Sequence, residues 1–553
     1  MITVAGRAVE LTMRAQLEPF VAITVPGSES DRLFSPFETQ LGLFPGSDFR
    51  LTTGRCGDCA AIAQALWYFA DETIAAPRQG LPVAGFARGI PPLEDLRRWA
   101  VAHPAGMPVE DPPLVWIGSP AVLRGARLSS DGRHIDTGAQ RWAFSTVAKV
   151  ALNRSYYDAS SVAYLSPRTL SVRGHVENGS LTARTLWPEE FRLDDAAPLQ
   201  SVVASPEGVR GLVREEPRGG AQGPFGAIAV WERRPGTPRH WQGAPILAVM
   251  LNGAQGDDDE AHGGHFALVT GRVGPSGAMG DWLANNFYSL DHESEKAIIA
   301  SMVPLDNYLA DLNSGQAWYR PSYLIVAVLR HERVASQVQG ALARIYNQFY
   351  RHQLVYRHTS MNCASISVDV LRALGWSVPA RGASSRIAAW LGLPYFLLRE
   401  KSLAGAARQF EYLTEDLTRL LPAVAFEEMG ADLLRMAAGA LPRAATTLET
   451  ALAEDLEAIC FLRVPQLPSS RVWGDYPVVT PWEYLARLPS DPELRQIIPV
   501  PPRPFPERLR DADLLPRPRP RSDLAIAVWA ILSVVGIPWL LWRWWRRKEQ
   551  SLG

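Results

Sequence analysis

Three of the four cysteines in this sequence stand where a thiol could be made reactive. Cys363 lies in Tyr356-Arg-His-Thr-Ser-Met-Asn-Cys-Ala-Ser-Ile366, where a loop pattern gives way to helical spacing. A helix start carries unpaired backbone N–H groups and the positive end of the dipole, and both lower a thiol's pKa. A thiol nucleophile also needs a base, and the base needs a polar group to orient it. His265, in Gly263-Gly-His-Phe-Ala-Leu-Val-Thr-Gly271, opens an apolar run behind two glycines that let backbone or substrate come close. Asn285 or Asn286, in Trp282-Leu-Ala-Asn-Asn-Phe287, could accept the other imidazole N–H. Cys363 as nucleophile, His265 as base and one asparagine as orienter describe acyl transfer through a thioester. Backbone N–H groups at the Cys363 helix start would hold the oxyanion.

The competing site is Cys56-Gly-Asp-Cys59. A C-x-x-C at a helix start has the geometry of a redox dithiol, though no βαβ pattern surrounds it. It is similar to the opening of the unpermuted papain signature, but departs from it at Asp58 and Ala60. Zinc would need a second ligand pair, and Cys363 and Cys460 are far apart in the chain. Cys56 and Cys59 therefore read first as a disulfide or redox pair, with Asp58 capping the helix, and second as a nucleophile site. No cofactor or metal follows from the sequence. The acidic run Asp257 to Glu260 lacks the spaced ligands of a calcium loop.

The elements that must position these residues show in the hydrophobic pattern. Apolar runs at 244–251, 266–272, 282–288 and 323–329 predict strands. Helical spacing follows over 334–350, and again from Cys363 through Ile366, Val370 and Leu374 to a capping Gly375. Before this unit the chain leans to strand, and Asn178-Gly179 between Arg173–Val176 and Leu181–Thr185 is a hairpin signal. A helix is expected after Cys59, through Ile62, Leu66, Phe69 and Thr73. Residues 386–463 read as helical and 464–521 as a proline-rich linker.

A histidine strand, then a polar-residue strand, then a cysteine helix is the order found in circularly permuted papain-like thiol enzymes. Over residues 208–385 the chain resembles that group, and within it the bacterial lipoprotein acyltransferase-related domains. The matching dipeptides are Gly264-His265 and Asn362-Cys363. The resemblance implies an α+β, permuted papain-like catalytic domain and a Cys–His acyltransferase or amide/ester hydrolase mechanism. It leaves the substrate open.

Near-balanced charge, 56 basic against 57 acidic residues, points away from nucleic acid. Leu524 to Trp542 contains no charged residue and is long enough to cross a bilayer, so one C-terminal transmembrane helix is expected. Arginines on both of its flanks leave the side of the soluble body open. The expected organisation is an N-terminal mixed, strand-leaning accessory domain (1–207), the catalytic domain (208–385), a helical region (386–463), the linker and the anchor. The expected partner is a membrane lipid bilayer, with a lipid, lipoprotein or envelope substrate. The rivals are a non-catalytic membrane-anchored scaffold with a degenerate site, and a redox protein using Cys56 and Cys59.

Overall fold

The computed structural model describes residues 90–106, 121–146, 159–214, 224–253, 264–287, 301–350 and 354–467, with gaps of one or two residues, and short strands at 44–45, 67–69, 72–77 and 114–116. Cys56, Cys59 and the run 524–542 lie outside the described residues.

Two β structures organise the chain. The first is a closed barrel of β5 (Ala121–Leu128), β6 (His134–Asp136), β7 (Arg141–Thr146), β8 (Leu170–Glu177) and β9 (Ser180–Pro188), ordered β5-β6-β7-β9-β8. Its lumen is filled by Ala126, Leu128, Ile135, Leu170, Val172, Leu181 and Leu186, all buried. The β8–β9 hairpin turns at Asn178 and Gly179, both at positive φ (49° and 76°). That conformation suits the right-handed twist of the flanking strands and explains the Asn-Gly pair.

The second is a seven-stranded antiparallel sheet. Its members are β10 (Gly226–Glu232), β11 (Pro245–Asn252), β12 (His265–Arg272), β13 (Leu283–Asn286), β14 (Ser301–Pro304), β15 (Ser322–Leu329) and β16 (Leu456–Val464). The spatial order is β10-β16-β15-β11-β12-β13-β14. The central strands β11 and β15 are buried along their whole length, which accounts for their unbroken apolar runs. Among the helices that cover the sheet are α5 (Arg333–Tyr350), α6 (Cys363–Leu374) and α10 (Pro422–Ala437). α10 comes so close at Gly430 that an added Cβ would lie 2.3 Å from Ile325 Cδ1.

The other α-helices of the described chain are α1 (Pro92–Ala102), α2 (Ala159–Leu165), α3 (Pro206–Arg214), α4 (Leu305–Ala310), α7 (Arg386–Glu400), α8 (Leu403–Thr414), α9 (Leu417–Leu420) and α11 (Thr447–Asp455). A small sheet holds β1 (Phe44–Pro45), β2 (Trp67–Phe69), β3 (Glu72–Pro77) and β4 (Leu114–Trp116).

The expected fold class is corrected. The described part of the molecule is mixed α/β, built on a five-stranded barrel and a second, larger sheet, not the α+β permuted papain-like arrangement expected. Among the described residues no helix is long and apolar enough to cross a membrane. Two local expectations also fail. The helix expected to run on to Thr73 is replaced there by β2 and β3, because aromatic and β-branched residues at Trp67–Phe69 and Thr73–Ile74 favour extended pairing. The stretch expected to stay helical to 463 ends in β16, a short apolar run buried on both faces, for which periodicity does not separate helix from strand.

The barrel is fastened to the large sheet through α4. Arg173 on β8 is buried and donates to Asp306 Oδ2 (2.6 Å) and Asp281 Oδ1 (2.5 Å). Arg124 on β5 completes the group by donating to Asp281 Oδ2 at 2.8 Å. On β9, buried Arg184 pairs with Asp311 at 3.4 Å, and Thr185 Oγ1 donates to Asn307 Oδ1. Buried charges are tolerated only when paired in this way.

Candidate active site

Cys363 is the first residue of α6, and Asn362 caps that helix. The Asn362 side chain accepts from Ser365 N (2.9 Å), while Ser365 Oγ accepts from Asn362 N (2.7 Å). Asn362 Nδ2 donates to His358 O and Leu420 O, which locks the cap onto the loop before it and onto α9. Gly375, left-handed at φ 110°, closes the other end. The cap holds the Cys363 thiol over the first-turn amides.

His265 is the first residue of β12, and its place in the register decides its neighbours. Asn252 on β11 pairs directly with His265, and Ser322 on β15 pairs with Asn252. A polar row thus crosses three strands at one end of an otherwise apolar sheet. Asn252 Nδ2 donates to Ser322 Oγ (2.7 Å), and Tyr308 Oη on α4 donates to Asn252 Oδ1. The Tyr308 ring lies 6.3 Å from the His265 ring, centroid to centroid.

Strand alternation separates the two candidate asparagines. Leu268 pairs with Asn285, so the two neighbouring side chains on β13 leave opposite faces of the sheet. Asn285 turns toward α5, where Nδ2 donates to Gln339 Oε1 (3.2 Å) and Leu268 O (3.2 Å). Asn286 turns the other way and accepts from His265 Nε2. That bond places the ring proton on Nε2 and leaves Nδ1 as the basic nitrogen.

The thiol meets this pair through the backbone. The Phe266 N–H, the amide next to His265, lies close enough to the Cys363 sulfur to favour its charged form, as do the Tyr356 hydroxyl and the Ala364 N–H. Cys363 N–H in turn points at Tyr356 Oη, 3.4 Å away. Gly264-His265 and Asn362-Cys363, nearly a hundred residues apart in sequence, therefore meet. Tyr356, Tyr308, Asn252, Ser322 and Arg320 complete the surroundings and were not singled out by sequence reasoning. Their signals were weak: a polar residue ending an apolar run (Asn252), a polar residue opening one (Ser322), and a tyrosine seven positions before the cysteine.

Cys363 (4 % exposed) and His265 (2 %) are both buried. Burial pushes the Cys363 thiol above its ordinary value, against the pull of the three donor groups and the Arg320 charge. Burial, reinforced by Arg320, pushes His265 down to about 3, with Asn286 opposing. At neutral pH the pair rests as thiol and neutral imidazole.

Two cavities lie elsewhere. The larger, about 1180 Å³, opens at the far end of the sheet, beside Arg272 and Leu329. Its arginines are matched, Arg234 to Glu457, Arg239 to Glu232 and Arg272 to Glu332. The smaller, about 360 Å³, lies between the barrel and the large sheet and reaches Asp281 and Asp306. Cys460, buried in β16 with its thiol raised far above the ordinary range by burial, packs as a small apolar side chain. No family model, no curated protein and no solved structure matches this chain, so the reading of the site rests on its own geometry.

Proposed function

We propose that this protein is a cysteine-dependent acyl-transfer enzyme, an acyltransferase or an amide or ester hydrolase, working through a thioester on Cys363. The observation that carries the reading is the convergence of three residues from three separate stretches of chain. Asn286 holds the His265 ring, and the amide beside His265 lies close to the sulfur at a capped helix start.

His265 Nδ1 takes the thiol proton as Sγ bonds to the acyl carbonyl carbon. The oxyanion is held by the Cys363 N–H and by the Tyr356 hydroxyl, which already lies 3.4 Å from that amide. The bond to the leaving alcohol or amine breaks, and the imidazolium returns its proton to that group. Water or an amine then attacks the thioester carbonyl and gives its proton to His265, and as the carbon–sulfur bond breaks His265 returns that proton to Sγ. Because the resting pair is neutral, the proton moves with the attack rather than before it. A lipid, lipoprotein or envelope substrate suits the uncharged run Leu524 to Trp542 near the chain's end.

A second reading, a membrane-associated binding protein with a silent site, is favoured by the burial of Cys363 and His265. One experiment separates the two. Incubation with p-nitrophenyl butyrate, followed by peptide mass mapping, should place the acyl group on the Cys363 peptide. Cys363→Ala should abolish it, and His265→Ala should slow it by about 10²–10⁴. Acylation of the Cys56–Cys59 peptide instead would overturn the assignment, and an unlabelled wild-type chain would favour the binding protein.

A further inference from the structure

The helical hairpin of α7 and α8 carries an apolar face that no described element covers. Residues 387–398 contain no charged side chain. Yet Ile387 is 75 % exposed, Leu391 78 %, Tyr395 58 % and Leu398 79 %. At 100° per residue these four, with Trp390 and Pro394, fall on one face of α7. Ala389 is the one fully buried residue of the helix, and Trp390, at the margin of the exposed face, reaches Phe410 on α8 edge-on at 5.0 Å. Isolated exposed leucines need no explanation, but a continuous stripe marks a surface that binds something.

The composition says what. Arg386 and Arg399 bracket the apolar stretch, and exposed Lys401 and Arg408 extend the basic rim, with Glu400 the nearest carboxylate. Trp390 and Tyr395 are the amphipathic rings that settle at a headgroup boundary. An apolar helix face carrying Trp and Tyr, with basic residues at its margins, is the pattern of a helix lying in a membrane interface. A surface for a second copy of the chain would instead favour a flatter apolar patch with a mixed-charge rim. The uncharged, tryptophan-containing run Leu524 to Trp542, 57 residues beyond the last described residue, adds a second lipid-compatible stretch to the same chain.

We propose that α7 docks the protein onto an anionic phospholipid surface. The hairpin also touches the nucleophile loop: Thr359 Oγ1 donates to Glu411 Oε2 on α8 at 2.6 Å, four residues before Cys363. Docking would therefore bring the Cys363 loop to the lipid, and acyl groups carried by lipids become the natural donors. That consequence rests on the acyl-transfer reading; the docking itself does not.

The test uses the full chain with vesicles of phosphatidylglycerol and phosphatidylcholine carrying a diazirine phospholipid. After photolysis, lipid adducts should map to 387–398, and Leu391→Asp with Leu398→Asp should reduce them at least fivefold. Both positions are exposed, so the fold and the acylation of Cys363 by p-nitrophenyl butyrate should persist. Adducts no more frequent over 387–398 than over buried α10 would overturn the proposal. A change in oligomeric state by light scattering without loss of adducts would also overturn it, assigning the face to a second copy. Loss of ester acylation in the wild type would overturn the enzymatic reading and leave the docking result standing.

Discussion

Tyr356 meets Cys363 in two ways: its hydroxyl oxygen accepts from the Cys363 amide, and the hydroxyl favours the charged form of the thiol. Tyr356→Phe keeps the ring and removes both effects. Acylation by p-nitrophenyl butyrate should fall by on the order of 10², the scale of losing one oxyanion donor. The thiol should rise further, so the pH curve for iodoacetamide labelling of Cys363 should shift to the alkaline side. In the wild type that rate should still climb through pH 9, since burial holds the thiol above its ordinary value. A plateau below pH 7 would reveal a thiolate–imidazolium pair and contradict the neutral site. His265 leaves a mark on stability too. Folded, it stays neutral down to about 3; unfolded, it protonates near 6.5. Between those values the unfolded chain binds the extra proton, so this residue's contribution falls as pH falls, by about 1.4 kcal/mol per unit. The unfolding free energy of the wild type minus that of His265→Gln, measured in urea, should shrink accordingly from pH 6 to pH 4. Residue types and order made Cys363 and His265 legible in the sequence. The choice between Asn285 and Asn286 was not, because it depends on which face of β13 each leaves.

At the scale of elements, the hairpin at Asn178-Gly179, strands β11, β12, β13 and β15, and helices α5 and α6 were readable, because their apolar periods and turn residues are strong. Barrel closure was not, because it depends on β7 pairing in parallel with β9, a contact between strands 34 or more residues apart. Nor was α4, six residues long, whose importance is tertiary. Asp306 and Asn307 on α4, and Asp311 just after it, hold the barrel, while Tyr308 reaches the polar row at His265. Arg173→Met should leave Asp306 and Asp281 facing each other without their shared cation. A loss of about 3–5 kcal/mol follows for breaking such a buried group, readable as a lowered urea midpoint. The same variant should slow ester acylation through displacement of Tyr308, whereas the exposed Arg97→Met should change neither.

The whole molecule is knit by long-range pairing. β16 lies between β10 and β15, joining residues more than 220 positions apart on one side and more than 120 on the other. A chain ending at Asp455 would lack one of the inner strands of the large sheet and leave two unpaired edges. It should show no cooperative unfolding transition by circular dichroism and should sediment as aggregate, while a chain ending after Leu467 should unfold as one body.

β16 also sets a clock. During synthesis β10 emerges early and β15 roughly midway, yet their common neighbour is made only after the eleventh described helix. For all that interval two strand edges stand open, inviting contact with other nascent chains. The histidine strand can pair with β11 long before, but the sheet around it becomes continuous only when residue 464 has been added. A ribosome stalled between residues 363 and 464 holds a polypeptide with Cys363 already made and the sheet that supports it unfinished. Co-translational chaperones that shield strand edges are therefore the helpers on which this chain's yield should depend most.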